Sequence, residues 1–135
     1  MRKIEHLGLA VKDIDQAIKT FEVLLNTPCY KIEEVVSEHV KTAFFQVGES
    51  KIELLQATHS DSAIAKYIEK SGRNGIHHIA FDVEDIEAEI KRLKKEGFEL
   101  IHQTPKDGAD NKSIAFLHPK STEGILIEMC QEKLR

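Results

Sequence analysis

The sequence predicts an α+β fold in which two βαβββ modules pair to form a curved, half-barrel-like mixed sheet with helices outside. The first observation is an internal repeat, because residues 5–25 match residues 77–97 at an offset of 72. The second is a later block, in which residues 52–56 match residues 127–131 at an offset of 75. Similarity at a fixed spacing is typical of a duplicated structural unit. Since a four-stranded sheet with one helix buries only one face well, two such sheets are expected to curve around a shared interior.

Both copies predict the same order of elements: a strand, then a helix, then three strands. Each helix follows an acidic capping residue, Asp13 or Asp85, and carries apolar residues at helical spacing. The strands of the first copy are predicted at residues 5–11, 29–37, 41–47 and 51–56. The strands of the second copy are predicted at residues 76–83, 98–103, 113–118 and 124–131.

The length of the chain favours a single domain. Its 135 residues are predicted to form one domain, 1–135. Module one covers about 1–58, a connecting helix about 60–72 and module two about 73–135.

Composition and charge argue against several classes of protein. The formal charge of -4, from 19 basic and 23 acidic residues, does not favour a general nucleic-acid surface. No apolar run approaches the roughly 18 residues of a membrane span, and no apolar segment typical of a secretory signal follows the N-terminus. Cys29 and Cys130 form no CxxC pair, so they indicate ordinary thiols in a reducing cytoplasm. The sequence therefore predicts a cytoplasmic protein that contacts neither nucleic acid nor membrane.

In both copies of the repeat, polar residues occupy equivalent positions at which a strand normally carries apolar ones. His6 is matched by His78 and Glu53 by Glu128, and all four have aliphatic neighbours in the sequence. A single histidine or glutamate in a strand usually has its hydrogen bonds made within the fold or faces solvent. The recurrence of both residue types at equivalent positions instead favours a common role. Two imidazoles and two carboxylates form a ligand set that suits a divalent ion of Co, Ni, Mn, Zn or Fe.

The other histidines carry weaker signals. His77 neighbours His78 but lies on the opposite face of a strand, so it is predicted to pack against other residues or to support a neighbouring ligand. His118 lies at a strand-to-turn junction and is expected to contact substrate or to fix a loop. No role is predicted for the histidines in polar, loop-like segments, which are His39, His59 and His102. The sequence contains no GxGxxG, P-loop or GxSxG motif, which argues against the nucleotide-binding and nucleophile signatures that these motifs carry.

Several segments resemble the vicinal-oxygen-chelate superfamily, also called the glyoxalase/bleomycin-resistance fold, over essentially the whole chain. These segments are residues 4–11, 52–55, 62–67, 75–80, 114–121 and 124–128. The most specific are GIHHIA at 75–80 and IAFLHPKS at 114–121, which are most similar to the methylmalonyl-CoA epimerases within that superfamily. The resemblance implies metal ligands at the four positions that the repeat selects, which are His6, Glu53, His78 and Glu128.

The same resemblance implies metal-dependent epimerisation of methylmalonyl-CoA at C2 through a metal-stabilised enolate. Glu128 is the first candidate for the catalytic proton transfer and Glu53 the second. A small acyl-CoA substrate and a homodimer are implied as partners. Because CoA is anionic, cations are expected near the site, and the candidates are Arg73, Lys112 and Lys120. Two alternatives stay open, a glyoxalase I-type lactoylglutathione lyase and a non-catalytic ligand-binding protein of the same fold.

Overall fold

The computed structural model describes residues 1–133, and residues 134 and 135, the end of the predicted second module, lie outside it. The elements in chain order are β1 (Lys3–Ala10), α1 (Ile14–Leu25), β2 (Lys31–Val35), β3 (Val40–Val47), β4 (Ser50–Ala57), α2 (Ala63–Ser71), β5 (Gly75–Asp82), α3 (Ile86–Lys95), β6 (Lys106–Gly108), β7 (Lys112–Leu117) and β8 (Ile127–Glu132). They form two compact units. The N-terminal unit is His6–His77, and the C-terminal unit combines Met1–Glu5 with the chain from His78 onward. Among the described residues, none of the helices combines the length and the apolar character needed to cross a lipid bilayer.

In the N-terminal unit the strands hydrogen-bond in the order β2-β3-β4-β1, with β1 parallel to β4 and the other neighbours antiparallel. Helix α1 begins at Ile14, because the Asp13 side chain caps its first turn. It packs Ile14 over Leu54, and both residues are almost fully buried. Helix α2 packs Ile64 against Leu55, which alternates with Leu54 along β4 and therefore points to the other face. The sheet of this unit is thus covered by one helix on each face.

In the C-terminal unit the strand order is β5-β8-β7-β6, and β5 is parallel to β8. Helix α3 begins at Ile86, with Asp85 as its capping residue. Its apolar side packs Leu93 over Met129, which is fully buried. On the other face of β8, Cys130 lies in a small buried cluster with apolar neighbours from β5 and β7. Each unit therefore contains the predicted βαβββ order, and the predicted connecting helix is present as α2.

One predicted strand is wrong. Residues 98–103 were expected to form the first of the three closing strands in the second copy, but that strand is β6, at Lys106–Gly108. Residues 98–103 are irregular, with Leu100 in an isolated bridge to Leu117. The reason is that a side chain takes the place of a backbone acceptor. The Phe116 amide donates to Nδ1 of His102 at 3.0 Å, so one rung of a regular ladder is lost.

Candidate functional site

The N-terminal unit buries one histidine–glutamate pair. His6 lies on β1 and Glu53 on the adjacent, parallel strand β4, where Glu53 stands opposite Gly8 in the register. Residues two apart on a strand lie on the same face of the sheet, so the His6 side chain lies on the face to which position 8 belongs. Nδ1 of His6 is 3.1 Å from Oε2 of Glu53, and the two side chains are only 6% and 7% exposed. The structure thus places two of the sequence-predicted ligands in direct contact.

The C-terminal unit repeats this arrangement with the other two predicted ligands. His78 lies on β5, and Glu128 on the parallel strand β8 stands opposite Ala80. Nε2 of His78 is 3.1 Å from Oε1 of Glu128, and both side chains are 6% exposed. In each unit the glutamate therefore faces the small residue two positions after the histidine. Because the residue at this position is small, there is room for the glutamate carboxylate to lie beside the imidazole.

The chemistry of both pairs fits a divalent transition-metal ion. A carboxylate that is withdrawn from water is stable only with a hydrogen-bond donor or a cation beside it. Each unit supplies one imidazole nitrogen and one carboxylate oxygen, which are donors that Zn, Co, Ni, Mn and Fe all accept. Within each unit, the histidine and the glutamate therefore form a pair of donors that such an ion accepts.

An aromatic residue stands directly across from each glutamate. Phe44 on β3 is the register partner of Glu53, and Phe116 on β7 is the partner of Glu128. The Phe116 ring meets the His78 ring edge-on, with 5.5 Å between the ring centroids. No role was predicted for these two phenylalanines. Their recurrence at the offset of 72 is the signal that could have identified them.

His102 also contacts Phe116, although the sequence predicted no role for it. Its ring centroid is 5.8 Å from that of Phe116, and its Nδ1 accepts the Phe116 amide proton. Burial lowers the pKa of His102, while the nearby charge of Glu128 opposes the shift. A neutral His102 therefore helps to hold Phe116 in place, and Phe116 in turn contacts the ring of His78.

The stability of the protein should depend on this neutral imidazole. Since the pKa of His102 in the fold lies below its ordinary value of 6.5, the unfolded chain takes up the proton first as the pH falls. The contribution of His102 is full above pH 6.5 and is lost as the pH falls through its folded-state pKa. We expect His102→Gln to lower the free energy of unfolding by about 1 kcal/mol near pH 7.5, and by less near pH 5.5.

Urea denaturation of both chains at the two pH values measures this difference. His39→Asn is the control, because His39 is exposed and asparagine tolerates its left-handed backbone conformation. An equal loss of stability for His102→Gln at both pH values would contradict the protonation argument.

His77, His118 and Cys130 each make contacts that the structure defines. His77 packs edge-on against Tyr67 at 5.3 Å between ring centroids, as its predicted packing role requires. His118 fixes a loop, because its Nδ1 accepts the Lys120 amide proton at the start of a 3-10 turn. Burial, with the charge of Glu128 as a smaller cause, raises the pKa of the Cys130 thiol, so this thiol is protonated at neutral pH. The contacts of His77 and His118 are therefore contacts within the fold of their own segments.

The candidate cations for CoA differ in accessibility. The Lys112 side chain is only 13% exposed, and its Nζ lies 4.0 Å from Oε2 of the buried Glu5. Lys120 is exposed but pairs with Glu99 at 2.6 Å, which lowers the pKa of that carboxyl. The burial of Lys112 makes it a poor contact for a bulky anionic tail, whereas Arg73 is exposed.

Comparison with known proteins gives a consistent result. Residues 5–116 match the model of the Glyoxalase/Bleomycin resistance protein/Dioxygenase superfamily. An ethylmalonyl-CoA/methylmalonyl-CoA epimerase from Cereibacter sphaeroides is 35% identical over 130 residues, which cover 96% of this chain and 97% of that protein.

Solved structures show the same likeness. The crystal structure of methylmalonyl-CoA epimerase from Mycobacterium tuberculosis is 32% identical and matches with a TM-score of 0.92, covering 97% of this chain and 88% of that one. A methylmalonyl-CoA epimerase in complex with methylmalonyl-CoA and NH4+ matches with a TM-score of 0.93 at 29% identity, covering 98% of this chain and 95% of that one. This likeness confirms the predicted fold class of paired βαβββ modules.

Proposed function

The chain belongs to the glyoxalase/bleomycin resistance/dioxygenase superfamily and, within it, to the methylmalonyl-CoA epimerases, and on this premise we propose that it interconverts the two C2 epimers of methylmalonyl-CoA. The observation that carries the proposal is the duplicated pair. Each unit buries one histidine against one glutamate at corresponding positions of the repeat. A non-catalytic binding protein has no evident need for two such buried pairs.

We further propose that both pairs bind one divalent cation, an ion of Co, Ni, Mn, Zn or Fe. His6 and Glu53 would contribute one nitrogen and one oxygen, and His78 and Glu128 would contribute the same set. Oxygens of the substrate would complete the coordination of the ion. When bound, the cation supplies positive charge that stabilises the enolate as the C2 proton leaves.

The proton transfers are assigned to the two carboxylates. The C2 hydrogen lies between a thioester carbonyl and a carboxylate, and it is only weakly acidic because the carboxylate opposes further negative charge. Because a carboxylate that ligates a metal is deprotonated, each glutamate would leave the ion to transfer a proton. Glu128 would remove the C2 proton from one face, and Glu53, detached and in its acid form, would return a proton to the opposite face. The reaction then leaves Glu128 protonated and Glu53 ionised, which is the state required for the reverse reaction. One pair of carboxylates therefore serves both directions of an epimerisation.

Isotope exchange tests the proposed reaction. The metal-loaded protein is incubated with one epimer of methylmalonyl-CoA in deuterated water, and C2 is followed by NMR and by chiral analysis. We expect deuterium at C2 together with inversion, because the returning proton comes from a group that exchanges with solvent. Turnover of methylglyoxal plus glutathione without C2 exchange would instead identify a lactoylglutathione lyase. Binding of acyl-CoA with neither reaction would identify a ligand-binding protein.

A cytoplasmic location and a homodimer complete the proposal. The location is supported by the two cysteines, because neither Cys29 nor Cys130 forms a disulfide bond. The dimer is supported by the family resemblance. Cell fractionation and light scattering measure these two properties.

A further inference from the structure

Two histidines that the proposed function does not use face each other on the surface of the N-terminal unit. His39 lies in the turn between β2 and β3, and His59 lies in the loop between β4 and α2. Their loops meet because Val40 pairs with Ala57 at the end of the β3–β4 ladder, and the Thr58 amide donates to the His39 carbonyl at 2.9 Å. Both side chains are exposed to solvent, so a small ion can reach them.

The separation of the two rings matches coordination of one ion. Their centroids are 4.9 Å apart, and their planes are inclined by 33°. A metal–nitrogen bond of about 2.0–2.1 Å places each imidazole centroid about 3.2 Å from the metal. For two imidazoles at a right or tetrahedral angle, the centroids are then about 4.5–5.2 Å apart. The observed separation lies within this interval.

Asp61 places a carboxylate next to the ring of His59. Nδ1 of His59 accepts the Asp61 amide proton at 3.0 Å, and it lies 3.6 Å from Oδ2 of the Asp61 carboxylate. Nδ1 is therefore turned toward Asp61, which leaves Nε2 as the ligand nitrogen. With Nδ1 as acceptor, the ring proton is on Nε2. When Nε2 binds a metal, this proton is displaced and Nδ1 carries one instead, so its hydrogen bond passes from the Asp61 amide to the Asp61 carboxylate. A carboxylate behind a metal-bound histidine is the usual arrangement in metal sites.

We propose that His39 and His59 form a second metal site for a late divalent transition metal such as Zn, Ni or Cu. Asp61 is a positioning residue, and water completes the coordination. Imidazole is a preferred ligand for these metals, whereas the hard cations Mg and Ca prefer oxygen. A bound ion ties the β2–β3 turn to the β4–α2 loop. The site shares no residue with the two buried pairs, so it stands or falls independently of the proposed enzymatic activity.

Zinc stoichiometry tests the proposal. Equilibrium dialysis against zinc, followed by metal analysis, compares the wild-type chain with His39→Asn and with His59→Gln. We expect the wild type to hold one more zinc per chain than either variant, whatever the total. Asparagine suits position 39 because the backbone there is left-handed. Circular dichroism verifies that both exposed substitutions leave the fold intact.

Two further variants sharpen the result. Asp61→Asn should weaken the second zinc by about tenfold without removing it, because it loses only the group that orients His59. His118→Asn is the control, since it removes a histidine elsewhere and asparagine can still cap the 3-10 turn. Equal zinc content in the wild type, His39→Asn and His59→Gln would overturn the proposal.

Discussion

Glu128→Gln should reduce the rate of epimerisation by about 10²–10⁴-fold, the usual contribution of a positioned acid or base. The substitution keeps the shape of the side chain and one oxygen beside His78, but an amide cannot accept the C2 proton. Because glutamine has the shape of glutamate and still places an oxygen beside His78, which is 3.1 Å from Glu128, the loss is expected in turnover rather than in folding. Initial rates of epimerisation and the metal content of the variant are measured together.

Glu128→Gln and Glu53→Gln should also differ in the epimer whose C2 proton they exchange. If Glu128 acts on one face of C2 and Glu53 on the other, Glu128→Gln should still exchange the C2 proton of one epimer in deuterated water, without inversion. Glu53→Gln should exchange only the other epimer. Glu132→Gln is the matched control, because it lies on the same strand but is exposed. Inversion by Glu128→Gln within twofold of the wild-type rate would show that another group transfers the proton.

What the sequence could predict followed from duplication. His6 and His78, and likewise Glu53 and Glu128, are informative because selection for one role has to act on both copies of a repeated strand. The same reasoning extends to Phe44 and Phe116, which stand across from the two glutamates. Any feature required by both units is visible twice in the sequence, and its position on a strand follows from the alternation of side chains.

Features that belong to one unit only were not predictable in this way. Asp82 is buried in the C-terminal unit and pairs with Arg2 at 2.8 Å, whereas the equivalent position of the first copy is Ala10. Cys130 likewise corresponds to Leu55. The burial of a polar residue depends on its partner, and the partner of Asp82 is 80 positions away in the chain. The residues next to Asp82 in the sequence carry no information about that partner.

The strand wrongly predicted at residues 98–103 has a related cause. Phe98, Leu100 and Ile101 have the apolar character of a strand, yet His102 and Gln103 compete for the backbone groups that a ladder would use. The Gln103 side chain donates to the Leu100 carbonyl at 3.1 Å, which closes a local turn. The pattern of apolar residues alone does not show that side chains compete for these backbone groups.

The arrangement of ligands predicts an equally large effect on metal binding. If both pairs bind the same cation, His6→Ala and His78→Ala should each weaken binding by more than about 100-fold, since even residues that only support a ligand contribute 10–100-fold. The chain should bind one cation at this centre before the change and none at micromolar metal after it. Two independent centres would instead bind two cations, and each substitution would remove only one of them. Stoichiometry therefore distinguishes a shared ion from separate ones.

The measurement is made in a His59→Gln chain, so that zinc on the exposed histidine pair does not contribute. Removing His6 also leaves the buried carboxylate of Glu53 without its neighbour, which is expected to cost about 1–3 kcal/mol of stability. His6→Gln separates the two effects, because its amide can still donate to Glu53 while it offers no imidazole nitrogen. Loss of metal from His6→Gln with little loss of stability follows if the pair is a ligand set. Full metal retention in both His6→Gln and His78→Ala would mean that the pairs are structural, and the proposed reaction would lose its cation.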